Sequence, residues 1–174
     1  MDFAFCSSCG NSLKPSTNQE WDFECEKCNQ KYYNNPIPVV AALVFLDGQL
    51  VIVSSKNKDL WGLPGGYVSV NESLEDAVIR EILEETNLNV RLTGFLASYP
   101  MVKRDRNLVF IVFTAEVKSG DPTAGDDVKE LMILNPNDAY QQLTGKFAKK
   151  ALEYWKSKWG PRGESNPRPR SHNP

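Results

Sequence analysis

The chain has 174 residues, of which 41% are hydrophobic, which is enough for a buried core and excludes a chain disordered throughout. Its formal net charge of −2 gives no bulk electrostatic argument for a nucleic-acid or anionic-membrane partner. No apolar run approaches the ~20 residues of a membrane span, and the N-terminus lacks the basic start and apolar stretch of a signal peptide. We therefore expect a soluble, cytoplasmic protein, with nucleic acid an unlikely partner and no membrane partner.

All four cysteines lie in the first 28 residues, as Cys6-x-x-Cys9 and Cys25-x-x-Cys28. In a reducing compartment two such pairs indicate a metal site rather than two disulfides, and their separation suits a Cys₄ zinc site. Four thiolates fill a tetrahedral Zn²⁺ site, which favours a structural ion over a catalytic one. Because so short a segment buries little, we expect residues 1–34 to need Zn²⁺ to fold.

Beyond Pro36 and Pro38 the pattern becomes that of one domain, predicted over residues 35–159, in which strands and helices alternate. Asp47-Gly48 is a strong hairpin signal, which requires an antiparallel pair and hence a mixed sheet. The predicted strands cover residues 39–46, 49–54, 90–97, 108–117 and 130–134, with a Gly/Pro-rich turn at 61–66. The predicted helices cover residues 73–86, 138–143 and 146–159. Residues 160–174 are rich in Pro, Arg and Ser and are predicted to be disordered.

The helix over residues 73–86, with Asn71 or Ser73 as its N-cap, carries three carboxylates in its C-terminal half. At about 100° per residue, Glu85 lies at about 40° and Glu84 at about −60° from Glu81. This arc continues the apolar stripe of the first half of the helix, formed by Leu74, Ala77 and Val78. A second apolar side is formed by Ile79, Ile82 and Leu83. We therefore expect a helix packed between two layers, with its carboxylates lining a crevice.

These carboxylates are unfavourably placed without a counter-charge. Glu81, Glu84 and Glu85 lie where the helix dipole disfavours negative charge, and each like-charge pair costs about 0.2–0.5 kcal/mol on an exposed helix. A bound divalent cation would reverse that penalty, and oxygen-only ligands suit Mg²⁺ or Mn²⁺. The alternative is a solvated acidic face, which the position on the apolar stripe disfavours.

The segment from Gly66 to Leu88 carries a recognisable spacing. It reads Gly66, five residues, Glu72, seven residues, then Arg80-Glu81-Ile82-Leu83-Glu84-Glu85-Thr86-Asn87-Leu88. This resembles the Nudix box, of which eight of nine defined positions are met. The exception is Asn87, where the family has Gly. That Gly ends the helix in a left-handed conformation, which Asn is the next residue best able to adopt.

The resemblance to Nudix hydrolases implies an α/β/α sandwich, of the α+β or α/β class, and attack of water on a pyrophosphate. The implied ligands of Mg²⁺ or Mn²⁺ are Glu81, Glu84, Glu85 and the backbone carbonyl of Gly65. By the same resemblance the catalytic set is Glu81, Arg80 and Glu72. Glu81 is the best candidate within the box to help deprotonate the water, and Arg80 would pair with Glu72 and brace the carboxylates.

Further functional residues outside the box are predicted from residue type alone. For each acidic or basic candidate, the alternative interpretation is a solvated loop residue with no role in the site. A further acidic ligand or base is expected among Asp126, Asp127 and Glu130. The basic residues Lys103, Arg104 and Arg106 could meet substrate phosphates. Four aromatic side chains could stack on a base, or pack in the core instead: Trp61, Tyr67, Tyr99 and Phe110. The substrate contacts that we select are Tyr67, Lys103, Arg104 and Asp127.

A zinc ribbon ahead of a Nudix domain resembles the layout of NADH pyrophosphatases. The Ser-Gln-Pro-Trp-Pro-type signature of that subfamily is absent, however, and Ala-Ser-Tyr-Pro-Met at residues 97–101 stands in its approximate place. NADH specificity is therefore not supported. We expect a nucleotide substrate, a nucleoside diphosphate linked to another moiety, with ADP-ribose or dinucleotides preferred. The alternatives are a housecleaning nucleoside triphosphate pyrophosphatase and a non-catalytic nucleotide sensor, and a homodimer is left open.

Overall fold

The computed structural model describes residues 4–17, 20–56, 60–103, 106–125 and 127–159. The predicted tail at 160–174, Arg104 and Asp126 lie outside the described residues. Within the described ranges, no helix combines the length and the apolar character that crossing a membrane requires.

The chain divides into two compact units. The first contains residues 1–37 together with residues 100–108, and the second contains residues 38–99 and 109–174. The boundary that we place between residues 34 and 35 stays a prediction.

The first unit contains a small antiparallel sheet in the order β1-β2-β3. Its strands have two residues each, and they are β1 (Lys14–Pro15), β2 (Phe23–Glu24) and β3 (Lys31–Tyr32). Strands this short contribute few ladder hydrogen bonds, so the sheet alone gives this unit little stability.

The second unit is built on a seven-stranded mixed sheet with helices packed against it. The strands are β4 (Ile37–Leu46), β5 (Gln49–Ser55), β6 (Trp61–Gly62), β7 (Gly65–Tyr67), β8 (Asn89–Lys103), β9 (Arg106–Ser119) and β10 (Val128–Leu134). The main path runs β10-β5-β4-β9-β8, while β6 pairs with β5 and β7 pairs with β4. Strands β8 and β9 are longer than predicted, and their adjoining ends at residues 100–108 belong to the first unit.

The predicted hairpin between β4 and β5 is confirmed. Leu46 pairs with Gln49 in antiparallel register. Asp47 and Gly48 both have positive φ, 48° and 80°. Positive φ at both central residues is what a two-residue turn needs to match the twist of its strands, and Asp-Gly is among the best sequences for it.

Alternating residues of β4 face two different helical layers. Val40, Ala42 and Val44 pack in one core cluster with three buried residues of α1 (Leu74–Thr86): Ala77, Val78 and Ile82. Ala41 and Leu43 pack in a second cluster with buried residues that follow β10. Those residues belong to α2 (Pro136–Gln142), to α3 (Lys146–Trp159) and to the turn between them: Ala139, Leu143, Ala148, Ala151 and Leu152. The period-2 alternation of the strand thus produces the α/β/α sandwich.

Helix α1 has one buried face rather than two. Ile82 is fully buried, but Ile79 is 36% exposed and Leu83 is 43% exposed. Our expectation of a helix packed between two layers is therefore wrong. Helix α1 forms an outer layer on the sheet, and the side that carries Ile79 and Leu83 is left open to solvent.

Helix ends follow local capping chemistry. Ser73 is the N-cap of α1, and its hydroxyl accepts a 3.0 Å hydrogen bond from the backbone N–H of Asp76. Helix α2 begins at Pro136 and not at the predicted Asp138, because Asn135 caps it and proline suits the first helical position. Helix α1 ends at Asn87 in the left-handed conformation, φ 57° and ψ 25°, which confirms the expectation for this departure from the motif.

Substitutions of Asn87 should separate the conformational requirement from the side-chain contact. Ala at this position should lower the free energy of unfolding by about 1–2 kcal/mol, because the left-handed conformation is unfavourable for a residue with a Cβ. Gly removes that strain and loses only the exposed hydrogen bond from Asn87 Nδ2 to the carbonyl of Asp121, 3.1 Å long. Asn87→Gly should therefore remain within about 1 kcal/mol of the wild type in urea unfolding. Equal losses for the two variants would contradict the assignment.

Candidate active site and cysteine cluster

A cavity of about 570 Å³ opens beside the C-terminal half of α1. All three clustered carboxylates of the helix line it, together with Asp127, the residue that precedes β10. The remaining lining residues are Leu83, Asn87, Thr123, Ala124 and Gly125. The predicted crevice is therefore present, although one wall is a loop rather than a second helical layer.

Arg80 holds the carboxylates beside this cavity in place. Its Nε and Nη2 donate to the two carboxylate oxygens of Glu72 at 2.7 and 3.0 Å. Its Nη1 donates to Glu81 Oε1 at 2.9 Å and to Glu84 Oε2 at 3.0 Å. Nη2 also donates to the carbonyl of Tyr67 at 3.2 Å. One guanidinium thus joins three carboxylates and the end of β7, as the bidentate fork of arginine allows.

These contacts set the charge state of the pair. Hydrogen bonds from the Arg80 guanidinium, with help from the Ser69 backbone, lower the pKa of Glu72 to about 2. The same contacts with Glu72 and Glu81 raise the pKa of Arg80 above its ordinary value. Both groups are therefore charged across the physiological pH range.

Glu85 has the opposite behaviour. Burial raises the pKa of its carboxyl to about 7, against a backbone hydrogen bond that lowers it, and the negative charges of Glu81, Asp127 and Glu84 raise it further. The backbone N–H of Gly65 donates to Glu85 Oε2 at 2.8 Å. Desolvation among like charges disfavours the ionised form unless a cation is present.

The two glycines of the turn into β7 bring backbone against these side chains. Gly65 has a φ of 151°, and a Cβ there would lie 2.1 Å from the carbonyl oxygen of Val40. A Cβ on Gly66 would lie 2.4 Å from Glu81 Cδ. The Glu81 carboxylate therefore occupies the space that any side chain at position 66 would need.

The loop between β9 and β10 closes the C-terminal end of α1. The backbone N–H groups of Thr123 and Gly125 donate to the carbonyls of Thr86 and Glu85 at 3.0 and 2.9 Å. Gly125 is required for this approach, since a Cβ would lie 1.8 Å from the carbonyl oxygen of Glu84. The loop satisfies free carbonyls at the helix end and places Asp127 in the cavity wall.

Sequence reasoning did not find Thr123 and Gly125. The only signal is the Gly within the acidic loop at 121–127, and a glycine in a loop does not reveal which helix it approaches.

The other predicted contacts are distributed between the two units. Tyr67, at the end of β7, is 46% exposed in the second unit, whereas Lys103 and Arg106 belong to the first. Trp61 is buried, and Tyr99 stacks on Phe147 with ring centroids 5.3 Å apart. Trp61 belongs to the core cluster between the sheet and helices α2 and α3, and Tyr99 and Phe110 pack against that cluster. Three of the four aromatic candidates are therefore used in packing.

The four cysteines are gathered in the first unit. Their Sγ atoms all lie within 4.8 Å of one another. Sγ of Cys6 is 3.5 Å from that of Cys28, and Sγ of Cys9 is 3.5 Å from that of Cys25. Among the described residues, these four cysteines are the group of His, Cys, Asp or Glu side chains whose ligand atoms lie close enough together to hold one metal ion. The carboxylates of α1 are not gathered as closely.

The two Cys-x-x-Cys turns have the same construction. In the first, the N–H of Gly10 donates to the carbonyl of Cys6 at 2.9 Å, and in the second Asn29 donates to Cys25 at 2.7 Å. Gly10 and Asn29 both have positive φ, 72° and 57°. The turns direct backbone N–H groups at the sulfurs of Cys6 and Cys25. Such donors stabilise thiolates, the form that binds metal.

Tyr32 supports this cluster from β3. Its hydroxyl donates to Cys6 Sγ at 3.1 Å and accepts a hydrogen bond from the backbone N–H of Ser7 at 2.9 Å. The bond from Tyr32 lowers the pKa of Cys6 to about 6, although burial opposes it. Cys6 is therefore predisposed to ionise and to act as a metal ligand.

Comparisons with known proteins agree with this architecture. The NUDIX hydrolase of Nitrosomonas europaea superposes with a TM-score of 0.75 at 23% identity, covering 89% of this chain and 91% of that one. The MutT NUDIX hydrolase of Burkholderia pseudomallei gives a TM-score of 0.62 at 29% identity, covering 69% of this chain and 98% of that one. The predicted α/β/α sandwich is confirmed.

Relatives in sequence include the ADP-ribose pyrophosphatase of Methanocaldococcus jannaschii, 34% identical over 62% of this chain and 67% of the relative. The NAD-capped RNA hydrolase NudC of Photorhabdus laumondii is 29% identical over 67% of this chain and 45% of its own length. The Shigella flexneri NudC is 30% identical over 75% and 50%. The chain therefore spans about half the length of its NudC relatives. The family model of the NUDIX domain matches residues 36–155, and the chain belongs to the Nudix family of hydrolases.

Proposed function

We propose that this protein hydrolyses the pyrophosphate of a nucleoside diphosphate linked to another moiety, with ADP-ribose or a dinucleotide as the preferred substrate. The observation that carries the proposal is the intact carboxylate array around the cavity, with Arg80 bonded to Glu72, Glu81 and Glu84. In the reaction, water forms a bond to one phosphorus atom and the bond from that phosphorus to the bridging oxygen breaks. The products are a nucleoside monophosphate and a phosphorylated partner.

The donor set fits a hard divalent cation, Mg²⁺ or Mn²⁺. Every candidate ligand is an oxygen: the carboxylates of Glu81, Glu84 and Glu85 and the carbonyl of Gly65. Glu85 is desolvated beside three other carboxylates, an arrangement that a cation would stabilise. A bound cation would polarise a phosphoryl oxygen and lower the pKa of a bound water.

The residues of the box then have separate tasks. Glu81, at 17% side-chain exposure and against Gly66, is the proposed acceptor of the proton that the water releases. Arg80 and Glu72 position Glu81 and Glu84 and act through them. Glu84, at 58% side-chain exposure, is the ligand with the freest access to the substrate side of the cavity.

Contacts with the rest of the substrate are assigned more coarsely. Asp127 lines the cavity, and Tyr67 exposes its ring at the end of the strand that carries Gly65 and Gly66. These two residues, with Lys103 and Arg104, remain the proposed substrate contacts.

Among possible substrates, the named activity of the archaeal relative favours ADP-ribose, and that of the NudC relatives favours an NAD-like dinucleotide. Cleavage of a nucleoside triphosphate is the second candidate within the family. A non-catalytic sensor is disfavoured, because such a protein need not keep the carboxylates that this chain retains.

The proposed cysteine ligand set, Cys6, Cys9, Cys25 and Cys28, would hold a structural Zn²⁺. Four sulfur ligands complete a tetrahedral shell and leave no position for substrate or water. Thiols persist as ligands in a reducing compartment, so the proposal includes a cytoplasmic location.

Glu85→Gln should strongly reduce turnover while leaving the fold intact. With Mg²⁺ and a panel of ADP-ribose, NADH, dinucleoside polyphosphates and nucleoside triphosphates, kcat should fall on the order of 100-fold or more. The matched control is Glu75→Gln, a change of the same type at an exposed position in the first turn of the same helix. No turnover by the wild type on any substrate, or equal rates for the two variants, would argue against the enzyme.

The affinity for Mn²⁺ should depend on pH through Glu85. Its pKa of about 7 lies above the ordinary value of 4.5, so below pH 7 an ion must displace a proton. The dissociation constant should therefore fall by up to about tenfold per pH unit as the pH rises to 7, and level off above it. The stability of the metal-free protein should change with pH in the opposite direction to the metal affinity. The free energy of unfolding should decline between pH 4.5 and 7, because the folded state resists ionisation of Glu85.

Titration calorimetry between pH 6 and 8 measures this dependence, and Glu85→Gln should remove most of it. A dissociation constant that is independent of pH in the wild type would exclude Glu85 as a ligand that loses its proton on binding.

The purified protein should contain one Zn²⁺ per chain. Cys25→Ser should abolish stoichiometric zinc and expose the first unit to proteolysis, because so small a unit has little core of its own. Tyr32→Phe is the matched control, since it removes the hydroxyl that contacts Cys6 but keeps all four ligands. Elemental analysis and limited proteolysis measure both effects. Zinc retained at full stoichiometry in Cys25→Ser would refute the four-cysteine site.

A further inference from the structure

Charge is distributed very unevenly along this chain. Residues 146–174 contain eight of the 20 Lys and Arg residues and two of the 22 Asp and Glu residues, a net charge of +6. Residues 1–145 contain the other 12 basic and 20 acidic residues, a net charge of −8. The whole-chain value of −2, which gave no bulk electrostatic argument for a nucleic-acid partner, averages over these two parts.

Five of the basic residues lie on helix α3, which has a single acidic residue, Glu153. Lys146, Lys150 and Tyr154 are spaced four residues apart and lie within about 80° of the helix circumference. These three side chains and Lys158 are exposed, while the apolar side of the helix is buried against the sheet through Ala148, Ala151 and Leu152. A row of lysines about 18 Å long therefore faces solvent.

Two of the exposed lysines have no acidic partner within the part of the chain that the structure describes. Among the described residues, Lys146 and Lys150 form no ion pair. Glu153, the one carboxylate of the helix, instead accepts a hydrogen bond from the Tyr140 hydroxyl of α2. Lys146 and Lys150 thus keep their positive charge available for an anion.

The remaining lysines are turned toward α2. Lys156 donates to Asn137 Oδ1 at 2.6 Å, and the ammonium of Lys149 lies 5.0 Å from the centre of the Tyr140 ring. These contacts fix the helix beside α2 and leave the outer row to Lys146, Lys150 and Lys158.

Aromatic rings lie beside this lysine row. Tyr154 and Trp159 are both exposed, and their rings meet edge to face with centroids 6.5 Å apart. Exposed large rings beside ammonium groups are the combination that binds single-stranded nucleic acid, since bases stack on the rings and phosphates meet the cations.

We propose that the outer face of α3, formed by Lys146, Lys150, Tyr154 and Lys158, with the Trp159 ring at the end of the helix, binds single-stranded nucleic acid. Charge complementarity to a phosphodiester chain selects this occupant, and the two rings supply sequence-tolerant stacking. An anionic membrane fits less well, because the apolar side of the helix is buried and cannot insert into lipid.

This surface is separate from the pyrophosphate site. Helix α1 and helix α3 pack on opposite faces of the sheet, so the polyanion avoids the carboxylates that line the cavity. The inference goes beyond the proposed hydrolysis and does not depend on it.

Fluorescence anisotropy with a labelled oligouridine of about 20 nucleotides tests the proposal on the full zinc-loaded chain. The test variant is Lys146→Gln/Lys150→Gln/Lys158→Gln, in which glutamine keeps the helix propensity of lysine. The matched control removes three exposed charges elsewhere: Lys27→Gln/Lys56→Gln/Lys118→Gln. We expect the test variant to lose about tenfold or more in affinity and the control to lose much less. The slope of log affinity against log salt should become shallower by about 2 in the test variant, as the loss of three phosphate contacts predicts.

A second pair of variants tests the stacking contribution. Tyr154→Ala should weaken binding about fivefold or more, whereas Tyr154→Phe, which keeps a ring, should remain near the wild type. The two triple lysine variants and the two Tyr154 variants should all hydrolyse a small substrate at the wild-type rate. Glu85→Gln should still bind the oligonucleotide. This proposal and the proposed activity can therefore fail separately.

Three outcomes would overturn the proposal. The first is no binding by the wild type at micromolar concentration in about 50 mM salt. The second is equal loss in the two triple variants. The third is binding to phosphatidylserine vesicles but not to the oligonucleotide, which would assign the lysine row to a membrane.

Discussion

The candidate active site depends on the hydrogen bonds that the Arg80 guanidinium donates. It donates to carboxylate oxygens of Glu72, Glu81 and Glu84 and to the carbonyl of Tyr67, and so fixes α1 to the end of β7. Without it, three like charges would repel one another on and beside one helix, and their side chains would turn to solvent. Because the fork is planar, it fixes direction as well as charge. A lysine could supply the charge but not five directed hydrogen bonds.

Close approach of the backbone to helix α1 is the second constraint, and it bears on the raised pKa of Glu85. Gly66 leaves space for Glu81, and Gly125 lets the loop lie on the carbonyl of Glu84. The Gly125 backbone also lies against Glu85 Cα, and burial of the Glu85 carboxyl is the main reason why its pKa rises. The fold thus gives up some stability at Glu85 near neutral pH, a pattern typical of sites that bind a cation.

The parts of this protein that sequence predicted are those encoded by local spacing. The 23-residue span from Gly66 to Leu88 predicted the helix, an N-cap at Asn71 or Ser73 and the left-handed Asn87, because capping and helical periodicity act within a few residues. The cysteine cluster was predictable because each Cys-x-x-Cys pair is encoded within four residues. The contact between the β9–β10 loop and α1 could not be predicted in this way, because Gly125 and Glu84 are 41 positions apart in the sequence. Wheel geometry alone also could not decide whether Ile79 would be covered, because that depends on whether another layer exists on its side.

The distribution of charge links these features. A pyrophosphate is anionic, yet the cavity presents four carboxylates, and the Arg80 guanidinium already makes its hydrogen bonds to three glutamates and a carbonyl. A phosphate bound in this cavity would need positive charge that the described lining residues do not provide, which is the physical argument for the proposed divalent cation. The lysines of α3 cannot serve, because they lie on the opposite side of the sheet. Two kinds of anion recognition, one through a cation and one through lysines, are thereby kept apart by the sandwich itself.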